Sequence, residues 1–67
     1  MILKEFLELN KNGLLLDVCI YDKNGEYVMC EEKRFYLNHN IFLDQKVLSF
    51  AIDIGDIDIE LDVVLDF

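Results

Sequence analysis

Residues 47–67, VLSFAIDIGDIDIELDVVLDF, alternate apolar and polar side chains almost without a fault. Leu48, Phe50, Ile52 and Ile54 fall on one side of an extended chain. After a break, Ile57, Ile59, Leu61, Val63, Leu65 and Phe67 do the same. Between them stand Asp53, Asp56, Asp58, Glu60, Asp62 and Asp66. A period of two marks a strand with one face buried and the other wet. The break is Gly55-Asp56, a pair that signals a two-residue hairpin between two such runs. That turn predicts Ile54 opposite Ile57, Ile52 opposite Ile59, Phe50 opposite Leu61 and Leu48 opposite Val63. On the outer face it sets Asp53 against Asp58, Ala51 against Glu60 and Ser49 against Asp62. Like charges directly opposite each other destabilise a sheet, so this hairpin carries a face that stability alone does not favour.

With 67 residues the chain predicts a single domain, 1–67, that buries only about 60% of its unfolded surface. Dense apolar packing must supply the stability, and a hydrophobic content of 54% permits it. No apolar run approaches the ~20 residues of a membrane span. The first residues include Glu5 and Glu8 and show no small-residue cleavage site, so no signal peptide is read. The expected location is the cytosol, where Cys19 and Cys30 would stay reduced. The net charge of −8 is uneven: residues 1–43 hold seven acids and five bases, residues 44–67 seven acids and one base, Lys46. Such a field repels nucleic acid and membrane surfaces and favours encounter with a basic partner. Acidity also keeps a small apolar domain in solution.

Residues 1–11 read as a helix, with Ile2, Leu3, Phe6, Leu7 and Leu9 in an apolar stripe and Asn12-Gly13 as its stop. A helix this short needs a surface to lie on, and the apolar face of the sheet offers it to Phe6 and Leu7. Residues 14–22 and 26–31 form a second hairpin around Lys23-Asn24-Gly25. A two-residue Asn-Gly turn would set Cys19 opposite Cys30, but also Val18 opposite Glu31. A three-residue turn with Gly25 left-handed pairs Ile20 with Val28 and Val18 with Cys30. The second register places Leu16, Val18, Ile20, Val28 and Cys30 on one face and is the one expected. It leaves Cys19, Tyr21, Tyr27 and Met29 on the other face and predicts no disulfide. Glu31 to Arg34 reads as a solvated charge cluster, Phe35-Tyr36-Leu37 as a short extra strand and Asn38-His39-Asn40 as a turn. Residues 41–45 read as a loop or single helical turn that plugs the core with Ile41 and Leu43. The predicted fold is α+β: an N-terminal helix packed on a small antiparallel sheet of about four strands, built from two hairpins.

Catalytic chemistry finds little support. The one histidine, His39, and the one serine, Ser49, lack a third residue to orient them. Three scattered glycines make no phosphate loop. Cys19, Cys30 and His39 are only three zinc-ligand candidates, without Cys-x-x-Cys spacing, and the preferred register puts the cysteines on opposite faces. Asp22-Lys23-Asn24-Gly25-Glu26 resembles the start of a calcium loop but lacks its later ligands. Paired carboxylates can do acid–base work, yet that needs a concave, dry site rather than an open hairpin face. No cofactor, no metal and no enzymatic activity are therefore expected. What remains is a binding surface. Asp53, Asp56, Asp58, Glu60 and Asp62 form a ladder of negative charge that could occupy a groove built for a nucleic-acid backbone. Tyr21, Tyr27 and Met29 add an apolar patch for a partner or a second copy of the chain.

The order KEFLEL, IYDKNGEYVM, FLDQKVLSFAIDI and a terminal acidic strand resembles very small acidic proteins of phages and mobile elements of Firmicutes. Among them it is similar to anti-CRISPR proteins, which block a Cas nuclease such as Cas9. The resemblance covers most of the chain and implies a Cas nuclease, or its guide-RNA complex, as partner. It carries over no binding residues, because anti-CRISPR proteins share no common motif. The expected function is a non-enzymatic inhibitor that binds a basic nucleic-acid groove through its acidic hairpin face, with no direct nucleic-acid binding. The alternative is a small assembly module of a phage or mobile element that forms a homodimer, its acidity serving solubility.

Overall fold

A computed structural model of the protein describes residues 1–9, 16–56 and 59–67. The element order is α1 (Leu3–Glu8), β1 (Asp17–Tyr21), β2 (Tyr27–Glu32), α2 (Lys33–His39), β3 (Val47–Ile54) and β4 (Ile59–Leu65). The four strands form one sheet in the order β2-β1-β4-β3. Each hairpin is antiparallel, as expected, but the two meet through a parallel β1–β4 pair, so the sheet is mixed. The α+β class stands, with one helix more than the sequence suggested.

One side of the sheet carries the core. Val18, Ile20, Leu61, Val63 and Leu65 project from the two central strands and meet Leu3 and Leu7 of α1, Tyr36 of α2 and Leu43. Central position is what period-two strands of Val, Ile and Leu favour, because neighbours then cover them on both sides. Helix α1 is short and is held by its surroundings. Leu3 N–H donates to the Gln45 carbonyl and Lys4 N–H to the Leu43 carbonyl, both at 2.9 Å, and Val47 N–H donates to the Met1 carbonyl at 2.8 Å. Glu5 accepts from the Ile2 N–H at 3.1 Å, which satisfies one donor at the helix start. The expected helix stop at Asn12-Gly13 and its Lys11 lie outside the described residues.

Residues 33–39 are helical, not a strand. The apolar triplet Phe35-Tyr36-Leu37 supports either reading, and burial decides it. On a helix, Tyr36 is the one side chain of α2 that enters the core, and its hydroxyl donates to the Val18 carbonyl at 2.6 Å. Phe35 and His39, one turn apart, stack at 4.3 Å, and His39 Nδ1 lies 2.9 Å from the Phe35 carbonyl. Asn40 then takes a left-handed conformation, φ 54°, and ends the helix. Leu43 is buried and Ile41 packs beside it, so residues 41–45 do plug the core.

Both hairpins depart from the expected register. In the first, the turn is as expected: Gly25 has φ +83°, Gly25 N–H donates to the Asp22 carbonyl, and Tyr21 faces Tyr27. The register then shifts between Ile20 and Tyr21, so that Ile20 faces Met29, Cys19 faces Cys30 and Val18 faces Glu31. Val28 is the extra residue of this bulge and is exposed. The face assignment of β2 beyond the bulge is therefore inverted. Met29 packs on the core side and Cys30 lies outside beside Cys19, with which it forms a disulfide. The expectation of unpaired cysteines on opposite faces is overturned. The cause is that a one-residue bulge exchanges the two faces of a strand.

In the second hairpin Ile54 faces Ile59, Ile52 faces Leu61 and Phe50 faces Val63. The connection is residues 55–58, not Gly55-Asp56 alone. Over residues 49–54 the register differs from the expected one by two, which leaves those side chains on their assigned faces. At Leu48 a bulge intervenes, so Leu48 does not pair with Val63 and Val47 packs on the core instead. Alternation fixes a register only to within multiples of two.

Candidate acidic sheet face

The side of the sheet away from the helices can be read as rungs across the four strands. One rung runs Glu32, Asp17, Glu60, Asp53, an acid from every strand. The next runs Cys30, Cys19, Asp62, Ala51, and the one after it Tyr27, Tyr21, Val64, Ser49. Adjacent strands lie about 4.8 Å apart, so the acidic rung spaces its carboxylates more closely than same-face residues along one strand, roughly 6.6 Å apart.

Electrostatics follows this geometry. The Glu60 carboxyl is pushed above its usual range, chiefly by a hydrogen bond shared with Asp62, then by the Asp62 charge, burial, and the charges of Asp53 and Asp17. Asp53 and Asp17 are its two cross-strand neighbours. The Tyr21 phenol is also raised, by burial first and then by Asp62 and Glu60. Asp62 Oδ1 is buried and meets no hydrogen-bond partner among the described residues. At the end of the rung, Arg34 Nε lies 2.7 Å from a Glu32 carboxylate oxygen.

Of the residues expected at the site, Asp53, Glu60 and Asp62 come together on this face. Asp56 stands in the exposed connection beyond β3, and Asp58 lies outside the described residues. Tyr21 and Tyr27 share the face, edge to face at 5.8 Å. Met29 does not join them, for the bulge turns it to the core. Asp17 and Glu32 were missed. Asp17 has the parity of Cys19 and Tyr21, which hints at its face, but only the parallel β1–β4 pairing places it beside Glu60.

Asp22 is occupied by the turn: one carboxylate oxygen accepts from Asn24 N–H at 2.9 Å and from Glu26 N–H at 3.0 Å. That is an Asx-turn arrangement, which accounts for the loop without calcium.

Among the described residues, the opposite side of the sheet has an uncovered margin. Phe50, Ile52 and Ile54 of the edge strand β3 were expected to be buried but are 56, 61 and 75% exposed. Helix α1 is too short to span the sheet. Its Phe6 ring reaches Phe50 at 4.9 Å and goes no further. Phe6, Leu9, Leu16, Phe50, Ile52 and Ile59 line a shallow apolar groove of about 340 Å³ there.

Among the described residues no helix is long and apolar enough to cross a membrane. Comparison with known proteins finds no matching family model, no matching curated protein and no matching solved structure.

Proposed function

We propose that this chain is a non-enzymatic binding protein whose outer sheet face occupies a basic groove of a nucleic-acid-handling protein. The observation that supports the reading is the rung Glu32, Asp17, Glu60, Asp53, reinforced by Asp62 in the next rung. A groove lined with Lys and Arg binds a nucleic-acid backbone largely through charge, and a rigid acidic surface competes for the same side chains. Duplex DNA presents one charge per ~3.4 Å along each strand, against about 4.8 Å across this sheet, so the mimicry is of density and not of detail. Tyr27 and Tyr21, on the same face, supply the aromatic anchors that charged interfaces commonly need. The resemblance of the sequence to anti-CRISPR proteins makes a Cas nuclease such as Cas9, acting in a bacterial cytoplasm, the partner to test first.

The test is a DNA-cleavage assay with Cas9, adding the protein before or after the guide RNA, together with binding measured over a salt series. Inhibition, and affinity that falls as salt rises, are expected. Asp53→Lys combined with Glu60→Lys should weaken binding on the order of tenfold to a hundredfold. Unchanged affinity in that variant would remove the acidic face from the mechanism. Order of addition separates blocked guide loading from blocked DNA binding.

The bare margin of β3 favours a second reading, the homodimer. An edge strand with an exposed apolar face is a template for pairing. Antiparallel pairing of two β3 strands about Ala51 would set Phe50 against Ile52 and keep each Asp53 opposite a serine, Ser49. Sedimentation over a concentration series decides this reading independently of any partner.

A further inference from the structure

We propose that, in its dithiol form, the outer sheet face binds one zinc ion through Cys19, Cys30, Glu60 and Asp62. This site shares Glu60 and Asp62 with the face proposed to enter a basic groove, but its argument does not rest on that reading. The Sγ atoms of Cys19 and Cys30 and a carboxylate oxygen of Glu60 all lie within 4.8 Å of one another. Three strands hold them: Cys30 on β2 faces Cys19 on β1, and Cys19 faces Asp62 on β4, two residues from Glu60 on the same face. Zinc takes thiolate sulfur at about 2.3 Å and carboxylate oxygen at about 2.0–2.2 Å in a tetrahedron, which sets its donors roughly 3.5 Å apart. The three donors start within 4.8 Å of one another, and the two sulfurs are free to turn once the disulfide opens.

Asp62, opposite Cys19 on β4, lies outside that group of three and would turn in as the fourth donor. Asp62 Oδ1 is buried and without a hydrogen-bond partner among the described residues. A buried acceptor left unmatched is destabilising and asks for an explanation. A disulfide offers it nothing, whereas a dication between the sulfurs and the two carboxylates satisfies it. Two thiolates and two carboxylates around one zinc leave the same net charge as a four-cysteine structural site.

The chemistry balances. A small thiol reduces the bridge by exchange: one disulfide and two R–SH give two protein thiols and one R–S–S–R. Zinc then binds as both thiols lose their protons to solvent. Oxidised chain, with both sulfurs in the bridge, has no thiolate to offer.

The experiment uses the full chain, oxidised or reduced with a phosphine under anaerobic conditions, titrated with Zn²⁺ against a chromophoric chelator. One zinc per reduced chain is expected, bound at least a hundredfold more tightly than by the oxidised chain. Glu60→Gln and Asp62→Asn should each weaken binding tenfold or more, and Cys30→Ser should reduce it to the oxidised level. Cadmium loading should show the charge-transfer absorption of two thiolates, with far-ultraviolet circular dichroism reporting that the sheet persists. Equal affinity in the two redox states overturns the proposal. So does zinc affinity that survives Glu60→Gln and Asp62→Asn, because a dithiol in an unfolded chain would behave that way.

Discussion

Replacing Tyr36 by Phe tests the part of the fold that differs most from the sequence expectation. The Tyr36 side chain is fully buried, and its hydroxyl donates at 2.6 Å to the carbonyl of Val18, itself buried in a central strand. Phe keeps the ring and its apolar contacts. It removes one buried hydrogen bond, worth about 1–1.5 kcal/mol net. For a domain of this length 1 kcal/mol moves Tm by about 4–8 °C, so Tyr36→Phe should melt roughly 10 °C lower. The pH dependence adds a second reading of the same bond. Burial, the largest cause, pushes the Tyr36 phenol up from 10.0 to about 12. The folded chain therefore favours the neutral phenol. That contribution is whole below pH 10 and is lost as pH rises through about 12. At about 1.4 kcal/mol per pH decade, its ceiling is ~2.7 kcal/mol, lowered by any water that reaches the hydroxyl. Urea unfolding of both proteins at stepped pH measures the gap between them. The gap should favour the natural chain at neutral pH and shrink above pH 10. Equal stability at neutral pH, or a gap that does not narrow in alkali, would mean that Tyr36 is not seated under β1 and that the α2 assignment is wrong.

Glu60→Gln should stabilise the oxidised, metal-free chain at neutral pH, because it removes a carboxylate set against Asp62, Asp53 and Asp17. The folded state holds the Glu60 proton more tightly than the unfolded one. Acidification from neutral toward 4.5 should thus stabilise the natural chain, and Glu60→Gln should lack that gain in urea midpoints. If β3 margins pair, Ile52→Lys should keep the chain monomeric at concentrations where the natural chain sediments as a dimer, with Tm changed little because Ile52 is 61% exposed. An unaltered dimer in Ile52→Lys would place the contact elsewhere.

Much of the fold was legible because period two is a strong signal. It located β3 and β4 and put Leu61, Val63 and Leu65 inside, as found. It could not fix the second hairpin's register, since setting Ile54 opposite Ile57 or opposite Ile59 puts the same side chains on one face. The bulge at Val28 was hidden for a related reason. Its effect is to bring Cys19 to Cys30, at the expense of a rung that sets Val18 against Glu31. The tolerance of Glu31 comes from its place on an edge strand, where it reaches water. Helix α2 was masked by the triplet Phe35-Tyr36-Leu37, which fits either period when read alone. Three of the five acids, Asp53, Glu60 and Asp62, followed from alternation in β3 and β4. The other two depended on pairings no local pattern encodes: Asp17 on the parallel β1–β4 pair and Glu32 on the bulged β1–β2 register.

That parallel pairing also bears on why the acids are where they are. A chain that needs charge only for solubility does best with acids dispersed over loops and edges, where water screens each one. Here four acids stand side by side in one rung and a fifth lies in the next. The crowding is enough to hold a proton on Glu60 more tightly than usual and to leave one oxygen of Asp62 unmatched. Both effects lower the stability of the isolated fold, in a domain too small to carry a large surplus. Strain of this kind is relieved by positive charge delivered from outside, either a row of Lys and Arg or a dication between the sulfurs and carboxylates. The two sources differ in what they need. A basic partner should bind the oxidised and the reduced chain alike and depend on Asp53 and Asp17, whereas zinc should need the two thiols. The pattern of losses across Asp53→Lys and Cys30→Ser therefore tells which of the two the crowded face is built for.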